Sequence, residues 1–418
     1  MQTVKNAFKL NAFTVLGLCI SVTMLYFLRQ PQIVAGAGMG WDGIDYHRLY
    51  NHIKGLDTDT AVAYPFCKRI ALPYVAALLP LAAEKAFLLV NIASGITGVL
   101  FCYLALRDRY NGLTIIACLT PIIFYLFSPL RFPYFYPFTV DPPAFCLYAI
   151  AIFFLSRGVP WGAVISLTIS GFFREPGFYF AIALIMLLLQ NRLRRKDGLL
   201  MASFCFGGLA LAYALQDKPC SGSQLMVAIS SIYLKFSNPV GWVKFIAALL
   251  LTCGAFIIRS YNSNGKQAPT RFFELNNCSD VIIISCAMLL ISILMAAAGG
   301  TDSTRIFFVS YPLYITFLAS CIDNRGWLEV SVASVWGLIA NRFTTKILEP
   351  TSYWPRNDED GFFSFFPDHG NIDVAIVILT YWSITHFVLM YISRRNISEI
   401  SLRTLKGFWS KSTPSSFE

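Results

Sequence analysis

Long apolar stretches, separated by short polar connections, run through most of this chain and constrain its fold more than any other feature. Of the 418 residues, 56% are hydrophobic and only 13% are charged, about half the charged share of a typical soluble domain. A soluble globule could not cover so much apolar surface. The pattern therefore predicts an all-α, polytopic transmembrane helical bundle with about 11–12 membrane elements.

Basic residues cluster in the connections between the apolar stretches. The net charge of +10 therefore indicates orientation in the bilayer, and no nucleic-acid partner is expected. Lys5 and Lys9 precede an apolar run from Phe13 to Leu28, which is predicted to be an uncleaved signal anchor. Further basic clusters lie at 192–196 and at 394–411. Because basic segments that flank membrane helices stay on the cytoplasmic side, both termini are expected in the cytoplasm.

We interpret residues 1–418 as a single integral membrane domain made of two halves. The half 1–215 has a long outer loop at 30–85, which contains a predicted interfacial helix at 70–83. The half 216–418 is interpreted as more variable, with an outer loop at 341–371. Further membrane segments are predicted at 86–106, 113–130, 142–156, 161–173, 177–190, 198–215, 240–258, 281–298, 306–322, 327–341 and 372–392.

The motif Arg174-Glu175-Pro176 interrupts an apolar run and is the most informative charged cluster. Each flanking helix would have about 13 residues, or roughly 20 Å. Because the hydrocarbon core is roughly 30 Å thick, the charges are expected somewhat below the outer surface. At that depth they need partners or water. Two interpretations stay open: a tight hairpin in which Arg174 and Glu175 neutralise each other, or a cavity wall that meets a polar ligand.

A second cluster, Trp41-Asp42-Gly43-Ile44-Asp45-Tyr46, lies in the first outer loop. Asp42 and Asp45 are three residues apart and would share one face of a helix. Such a pair can act as a general base or hold a divalent cation, here Mg²⁺ or Mn²⁺. The alternative is a solvated loop in which Asp42 caps the following helix.

Two later outer turns also carry charges. Asp141 precedes Pro142 and Pro143, which is typical of ordinary helix capping. Asp302 and Arg305 could pair with each other across one helical turn, or Arg305 could contact a phosphate group.

The neighbouring residues Lys68 and Arg69 begin the predicted interfacial helix. They are either side chains that reach back to the membrane surface or, together with Arg174, part of a phosphate clamp. Cys67 and Cys220 are the two cysteines that could form a bridge on the outer side. Most of the other cysteines lie within apolar runs and are expected to pack as small hydrophobic residues.

The order of these motifs resembles that of the GT-C class of polytopic membrane glycosyltransferases, especially bacterial enzymes that decorate envelope glycans. The features that carry the resemblance are Asp42, Asp45 and Tyr46 in the first outer loop, Lys68-Arg69 before Pro73, Asp141-Pro142, and Arg174-Glu175. The resemblance implies a bacterial inner-membrane enzyme that acts at the outer face on a polyprenyl-phosphate sugar. It gives the catalytic acid role to Asp42 or Asp45. Their spacing is one residue longer than the related Asp-x-Asp motif, which leaves open which acid is used.

On this resemblance the chain is expected to transfer a sugar from a polyprenyl-phosphate carrier to an envelope glycan acceptor. The donor, the glycan acceptor and the lipid bilayer are the expected partners. The residues expected to bind substrate are Lys68, Arg69, Asp141, Arg174, Glu175, Asp302 and Arg305. The alternatives are a flippase or transporter of lipid-linked glycans, an O-antigen-type polymerase or ligase, and a membrane scaffold without catalytic activity.

Overall fold

The computed structural model describes most of the chain in helical form. The described residues are 10–34, 37–40, 42–56, 62, 65–125, 127–191, 194–215, 224–257, 280–298, 303–323, 331, 334 and 372–394. Every regular element in these ranges is helical, which confirms the predicted all-α class. The α-helices are α1 Ala12–Arg29, α2 Gly43–Ile53, α3 Ala71–Ala77, α4 Ala83–Leu106, α5 Gly112–Phe124, α6 Phe132–Phe135, α7 Asp141–Ser156, α8 Pro160–Ser170, α9 Pro176–Asn191, α10 Arg195–Ala214, α11 Gln224–Phe236, α12 Pro239–Ile257, α13 Asp280–Ala298, α14 Ser303–Val309, α15 Tyr311–Ile322 and α16 Ile372–Arg394.

Four helices, α1, α4, α10 and α13, are long and apolar enough to cross a membrane. The pairs α11–α12 and α14–α15 pass the same test together, although the chain bends by 105° and 77° between their members. Several predicted segments correspond to shorter apolar helices, namely α5, α7, α8, α9 and α16. These helices, on the criteria of length and composition, make the chain a helical membrane protein.

Two predicted elements are shorter in the structure. The segment predicted at 113–130 ends as a helix at Phe124, because the chain turns at Tyr125 into a buried connection before α7. The interfacial helix predicted at 70–83 is only Ala71–Ala77, and a 3-10 turn at Phe66–Lys68 precedes it. The predicted segment at 327–341 and the outer loop at 341–371 lie outside the described residues, apart from positions 331 and 334.

The helices begin where the sequence provides standard start signals. Asn11 and Asn111 accept hydrogen bonds from the amides of Thr14 and Thr114, and so cap α1 and α5. Proline stands in the first turn of α7, α8 and α15, where a missing amide hydrogen costs nothing.

The packed centre of the bundle is formed by α4, α7 and α8, with α1 and α3 against α4. Close approach is possible because small residues face the neighbouring backbone. A Cβ atom at Gly98 would lie 3.1 Å from the Cα of Cys146 in α7, and one at Gly95 would lie 2.4 Å from the carbonyl oxygen of Pro129. The start of α7 is therefore fixed against α4, and this is the end of the bundle that carries the charged residues.

Candidate functional site

Three arginines and three carboxylates from separate parts of the chain meet at one end of the bundle. We call this set the charged cluster; its members are Asp42, Arg69, Asp141, Arg174, Glu175 and Arg305. All six were among the residues selected from the sequence. Their formal charges balance, which is the condition under which ionised groups tolerate burial in a membrane protein.

Asp141 is the centre of the charged cluster. Its Oδ1 atom accepts a hydrogen bond of 2.6 Å from Nη1 of Arg174, and its Oδ2 atom accepts one from Nε of Arg305. The Asp141 side chain is only 7% exposed. The expected capping role is therefore wrong: α7 begins at Asp141 itself, its N-cap is Val140, and the carboxylate binds two arginines.

Asp42 and Asp45 differ in their surroundings. Oδ2 of Asp42 lies 3.7 Å from Nη1 of Arg305, so Asp42 borders the charged cluster, and 27% of its side chain is exposed. Oδ1 of Asp45 lies 3.7 Å from Nη1 of Arg48, a half-exposed residue on the same helix. Asp42 stands at the N-cap position of α2, but its side chain makes no capping hydrogen bond. The capping interpretation therefore does not describe its side chain.

Partial burial shifts the pKa values of two side chains in α2, Asp45 and His47. Burial is the main cause that raises the pKa of Asp45 above its ordinary value; Arg48 opposes this rise and Asp42 adds to it. Burial also lowers the pKa of His47. The ring of His47 meets that of Phe138 edge to face, with centroids 5.8 Å apart. Its role is therefore consistent with packing, as a neutral aromatic ring.

Glu175 is bound by Arg69, with distances of 3.1 and 3.3 Å from Nε to the two carboxylate oxygens. Arg69 also donates a hydrogen bond of 3.2 Å from Nη1 to the buried hydroxyl of Tyr46. The hairpin interpretation, in which Arg174 and Glu175 neutralise each other, is therefore wrong. Each of the two binds a residue from a different part of the chain, so the hairpin joins the Arg69–Glu175 pair to the Arg174–Asp141 pair.

A small, partly open cavity lies beside the Arg69–Glu175 pair. Its walls come from the 3-10 turn, the α8–α9 hairpin and the end of α10. The lining residues are Lys68, Gly171, Glu175, Phe178, Tyr179, Leu209, Ala212 and Tyr213. Nζ of Lys68 donates a 2.8 Å hydrogen bond to the hydroxyl of Tyr213 and lies 4.1 Å from the centre of its ring. The cavity thus combines a cation, a carboxylate and aromatic surface.

A buried amide in α4 holds the connection that leads to Asp141. Nδ2 of Asn91 donates hydrogen bonds of 2.7 and 2.8 Å to the carbonyl oxygens of Pro137 and Thr139. The Thr139 hydroxyl then accepts a hydrogen bond from Nη2 of Arg305 at 3.3 Å. Helix α4, through Asn91, therefore holds the backbone that precedes Asp141 in place.

Two glycines allow the close contacts that place Asp42 and the Arg174–Glu175 hairpin. Gly40 has φ +67°, and a Cβ atom there would lie 2.5 Å from the ring of Tyr136. A Cβ atom at Gly177 would lie 2.2 Å from Oγ of Ser170 and 2.5 Å from the amide of Gly171. Both positions therefore need glycine, one for its backbone angle and the other for space.

The remaining predicted residues divide into those the structure places and those it does not. Lys68 lies on the cavity wall, and Asp45 faces Arg48. Asp302 lies outside the described residues, so its predicted pairing with Arg305 stays a prediction. Asn91, Thr139 and Tyr213 were not predicted from the sequence to have a role at the site. Of these, only Asn91 gives a signal, as a single amide within a 24-residue apolar helix.

The cysteines agree in part with expectation. The described cysteines within apolar runs form no disulfide. Cys67, directly before Lys68, is disulfide-bonded. Its predicted partner, Cys220, lies outside the described residues.

Within the described ranges, no three His, Cys, Asp or Glu side chains gather closely enough to hold a metal ion. Asp42 and Asp45, the pair considered for Mg²⁺ or Mn²⁺, are each engaged by a different arginine. Comparison with protein-family models, with curated proteins and with solved structures finds no match for this chain.

Proposed function

We propose that this protein is a GT-C-type glycosyltransferase of the bacterial inner membrane. It transfers a sugar from a polyprenyl-phosphate carrier to an envelope glycan acceptor at the extracytoplasmic face. The observation that carries the proposal is the charged cluster itself: balanced ionic groups from both halves of an apolar bundle converge at one end, where Asp42 is partly exposed and a small cavity opens beside Glu175. Ionised groups in a membrane protein are costly unless they are paired or hydrated, and they commonly mark a functional site.

Asp42 is the general base in this proposal. Its carboxylate lies at the edge of the cluster at 3.7 Å from Arg305, too far for a strong hydrogen bond, and part of its surface is open. It takes the proton of the acceptor hydroxyl as the oxygen of that hydroxyl bonds to the anomeric carbon of the donor sugar. The bond from that carbon to the phosphate oxygen breaks, and the lipid phosphate leaves with the bonding electrons. Asp45, turned toward Arg48, takes no part in the transfer.

The leaving phosphate is assigned to the cavity beside Lys68. Arg174 and Arg305 are committed to Asp141, and Arg69 is committed to Glu175. Lys68 is a cation on the cavity wall, and its contacts include the hydroxyl and ring of Tyr213. The ammonium group of a lysine can donate charge-assisted hydrogen bonds to a phosphate oxygen. The arginines then keep Asp141 and Glu175 in place during transfer.

The disulfide at Cys67 supports an extracytoplasmic location for this end of the bundle. Disulfides persist in oxidising compartments, and Cys67 is the residue before Lys68. The predicted orientation, in which the basic connections lie in the cytoplasm, gives the same side. The two signals are independent, since one rests on thiol chemistry and the other on charge.

An in vitro transfer assay tests the proposal. The full chain in nanodiscs is offered a panel of undecaprenyl-phosphate sugars with envelope polysaccharide, with and without EDTA. We expect transfer by the wild type, a loss of about 10²–10⁴-fold for Asp42→Asn, and near-normal transfer for the matched control Asp45→Asn. Transfer retained by Asp42→Asn would remove the proposed base. Movement of the lipid-linked sugar between leaflets without transfer would replace the proposal with a flippase.

A further inference from the structure

Helix α11 exposes its apolar side and turns its polar side toward the protein. The exposed side chains are Leu225, Met226, Ile229, Ile232, Tyr233 and Leu234. All of these except Leu234 lie within one stripe at helical spacing. On the opposite side, Ser231 is buried and Lys235 reaches toward α13. A helix in water would have the reverse arrangement, so its outer surface is matched to an apolar medium.

The direction of α11 differs from that of its neighbour. The chain bends by 105° between α11 and α12, and α12 packs against α14, α15 and α16 within the bundle. If α12 runs along the membrane normal, α11 lies about 15° from the membrane plane. The bend is fixed by close packing, because a Cβ atom at Gly241 would lie 1.9 Å from the carbonyl oxygen of Lys235.

Lys235 anchors the end of α11 to the end of α13. Its Nζ atom donates hydrogen bonds of 2.6 and 3.2 Å to the carbonyl oxygens of Ala296 and Ala297. These carbonyls belong to the last turn of α13, where no helical amide can satisfy them and where the helix dipole favours a cation. The hydroxyl of Ser303, two residues before Arg305, binds the carbonyl oxygen of Ala296 as well, at 3.1 Å.

We propose that α11 is an interfacial helix that lies in the plane of the membrane, with its apolar stripe buried in lipid and Lys235 holding its polar side against α13. The partner of this surface is the lipid bilayer, at the same end of the bundle as the charged cluster. An apolar stripe of this kind, in a helix close to the membrane plane, is typical of interfacial helices. The inference does not depend on the glycosyltransferase proposal.

The depth of single positions in the bilayer tests this orientation. Spin labels are attached through p-acetylphenylalanine placed at Leu225, Ile229 or Tyr233 in the full chain, so the native cysteines stay unchanged. Collisions with oxygen and with a water-soluble nickel complex then give the depth in phosphatidylcholine nanodiscs. The matched control is the pair Leu290 and Leu294, which are exposed on the membrane-crossing helix α13.

For α11 we expect high oxygen accessibility and depths that differ by about 3 Å over eight residues, since the helix is inclined by about 15°. The control positions, four residues apart, should differ by about 6 Å. A steady change of about 12 Å between Leu225 and Tyr233 would make α11 part of a membrane-crossing segment and overturn the proposal. Access to the nickel complex at all three positions would place the stripe in water and also overturn it.

The anchor is tested by the same label at Ile229. Lys235→Met removes the donor but keeps a long apolar side chain, so the label should become more mobile and its depth more variable. Lys235→Arg, which keeps the charge, should restore the wild-type spectrum. If Lys235→Met leaves the spectrum and depth unchanged, Lys235 is not the anchor. Gel filtration of each variant confirms that the bundle is intact.

Discussion

Replacement of the buried Asp141 by asparagine should destabilise the protein more than the same replacement of an acid that pairs with an exposed arginine. Asp141 binds Arg174 at 2.6 Å and also binds Arg305, and none of the three side chains is more than 13% exposed. An asparagine side chain at this position would keep the shape but lose the charge, and its amide group would face one of the two arginines. Removal of one partner from a buried ion pair costs about 3–5 kcal/mol of unfolding free energy, because the remaining charge is uncompensated. We expect a loss in this range for Asp141→Asn.

The assay is the reversible unfolding of the purified protein in mixed micelles, with the free energy obtained from a denaturant titration. The control is Asp45→Asn, which removes an ion pair at 3.7 Å with a half-exposed arginine. Pairs of that kind contribute about 0–1 kcal/mol. A second variant, Asp141→Asn with Arg174→Met, removes one of the uncompensated cations. It should be more stable than Asp141→Asn alone if the loss comes from unpaired charge.

Two results would refute this reasoning. A loss below about 1 kcal/mol for Asp141→Asn would mean that water or lipid headgroups already neutralise the arginines. Equal losses in the single and double variants would mean that asparagine fails through packing and not through charge. The double variant therefore separates an electrostatic role of Asp141 from a steric one.

Three further predictions follow from other contacts. Asn91→Leu should lower the unfolding free energy by about 1–3 kcal/mol in the same titration, since two buried carbonyls lose their donor; an unchanged value would exclude Asn91 as the support of this connection. Gly40→Ala should reduce both stability and any transfer activity, because φ is +67° and the Tyr136 ring fills the space for a side chain; wild-type values for both would contradict it. Because burial raises the pKa of Asp45, its contribution to stability is greatest at low pH and is lost as pH rises from its ordinary pKa of 3.8 through the raised value. The stability of the wild type relative to Asp45→Asn should therefore fall over that interval, and a rise with pH would contradict the burial of Asp45.

The sequence was sufficient to predict the class of fold and the members of the charged cluster. Hydropathy shows which segments must avoid water, and ionised residues in such a chain must find one another or water. This is why Asp141, Arg174 and Arg305 could be selected without a structure. The ion-pair partners could not be predicted. In the sequence a local pair such as Arg174 with Glu175 is as plausible as a long-range pair, and only the packing of distant helices decides which of them forms.

The ends of helices and the bends between them could not be predicted from the sequence. Residues 113–130 are apolar enough for a crossing helix, but the chain leaves the helix after Phe124 to form the connection that carries Asp141. Hydropathy measures the preference of a segment for lipid and contains no information about such a turn. The choice between Asp42 and Asp45 was equally hidden, because it depends on which of the two faces Arg305 once the helices have packed.

The span of the chain between the partners of Asp141 has a consequence for biosynthesis. Arg174 follows Asp141 by 33 residues, whereas Arg305 follows it by 164. At about 5–20 residues per second, the ribosome needs roughly 8–30 s to reach Arg305 after Asp141. During that interval the nascent first half holds Asp141 with one arginine and Asp42 without its later neighbour. The synthesis of α14 therefore completes the charged cluster, and a chain that stops before Arg305 lacks the arginine that binds Asp42 and the second arginine that binds Asp141.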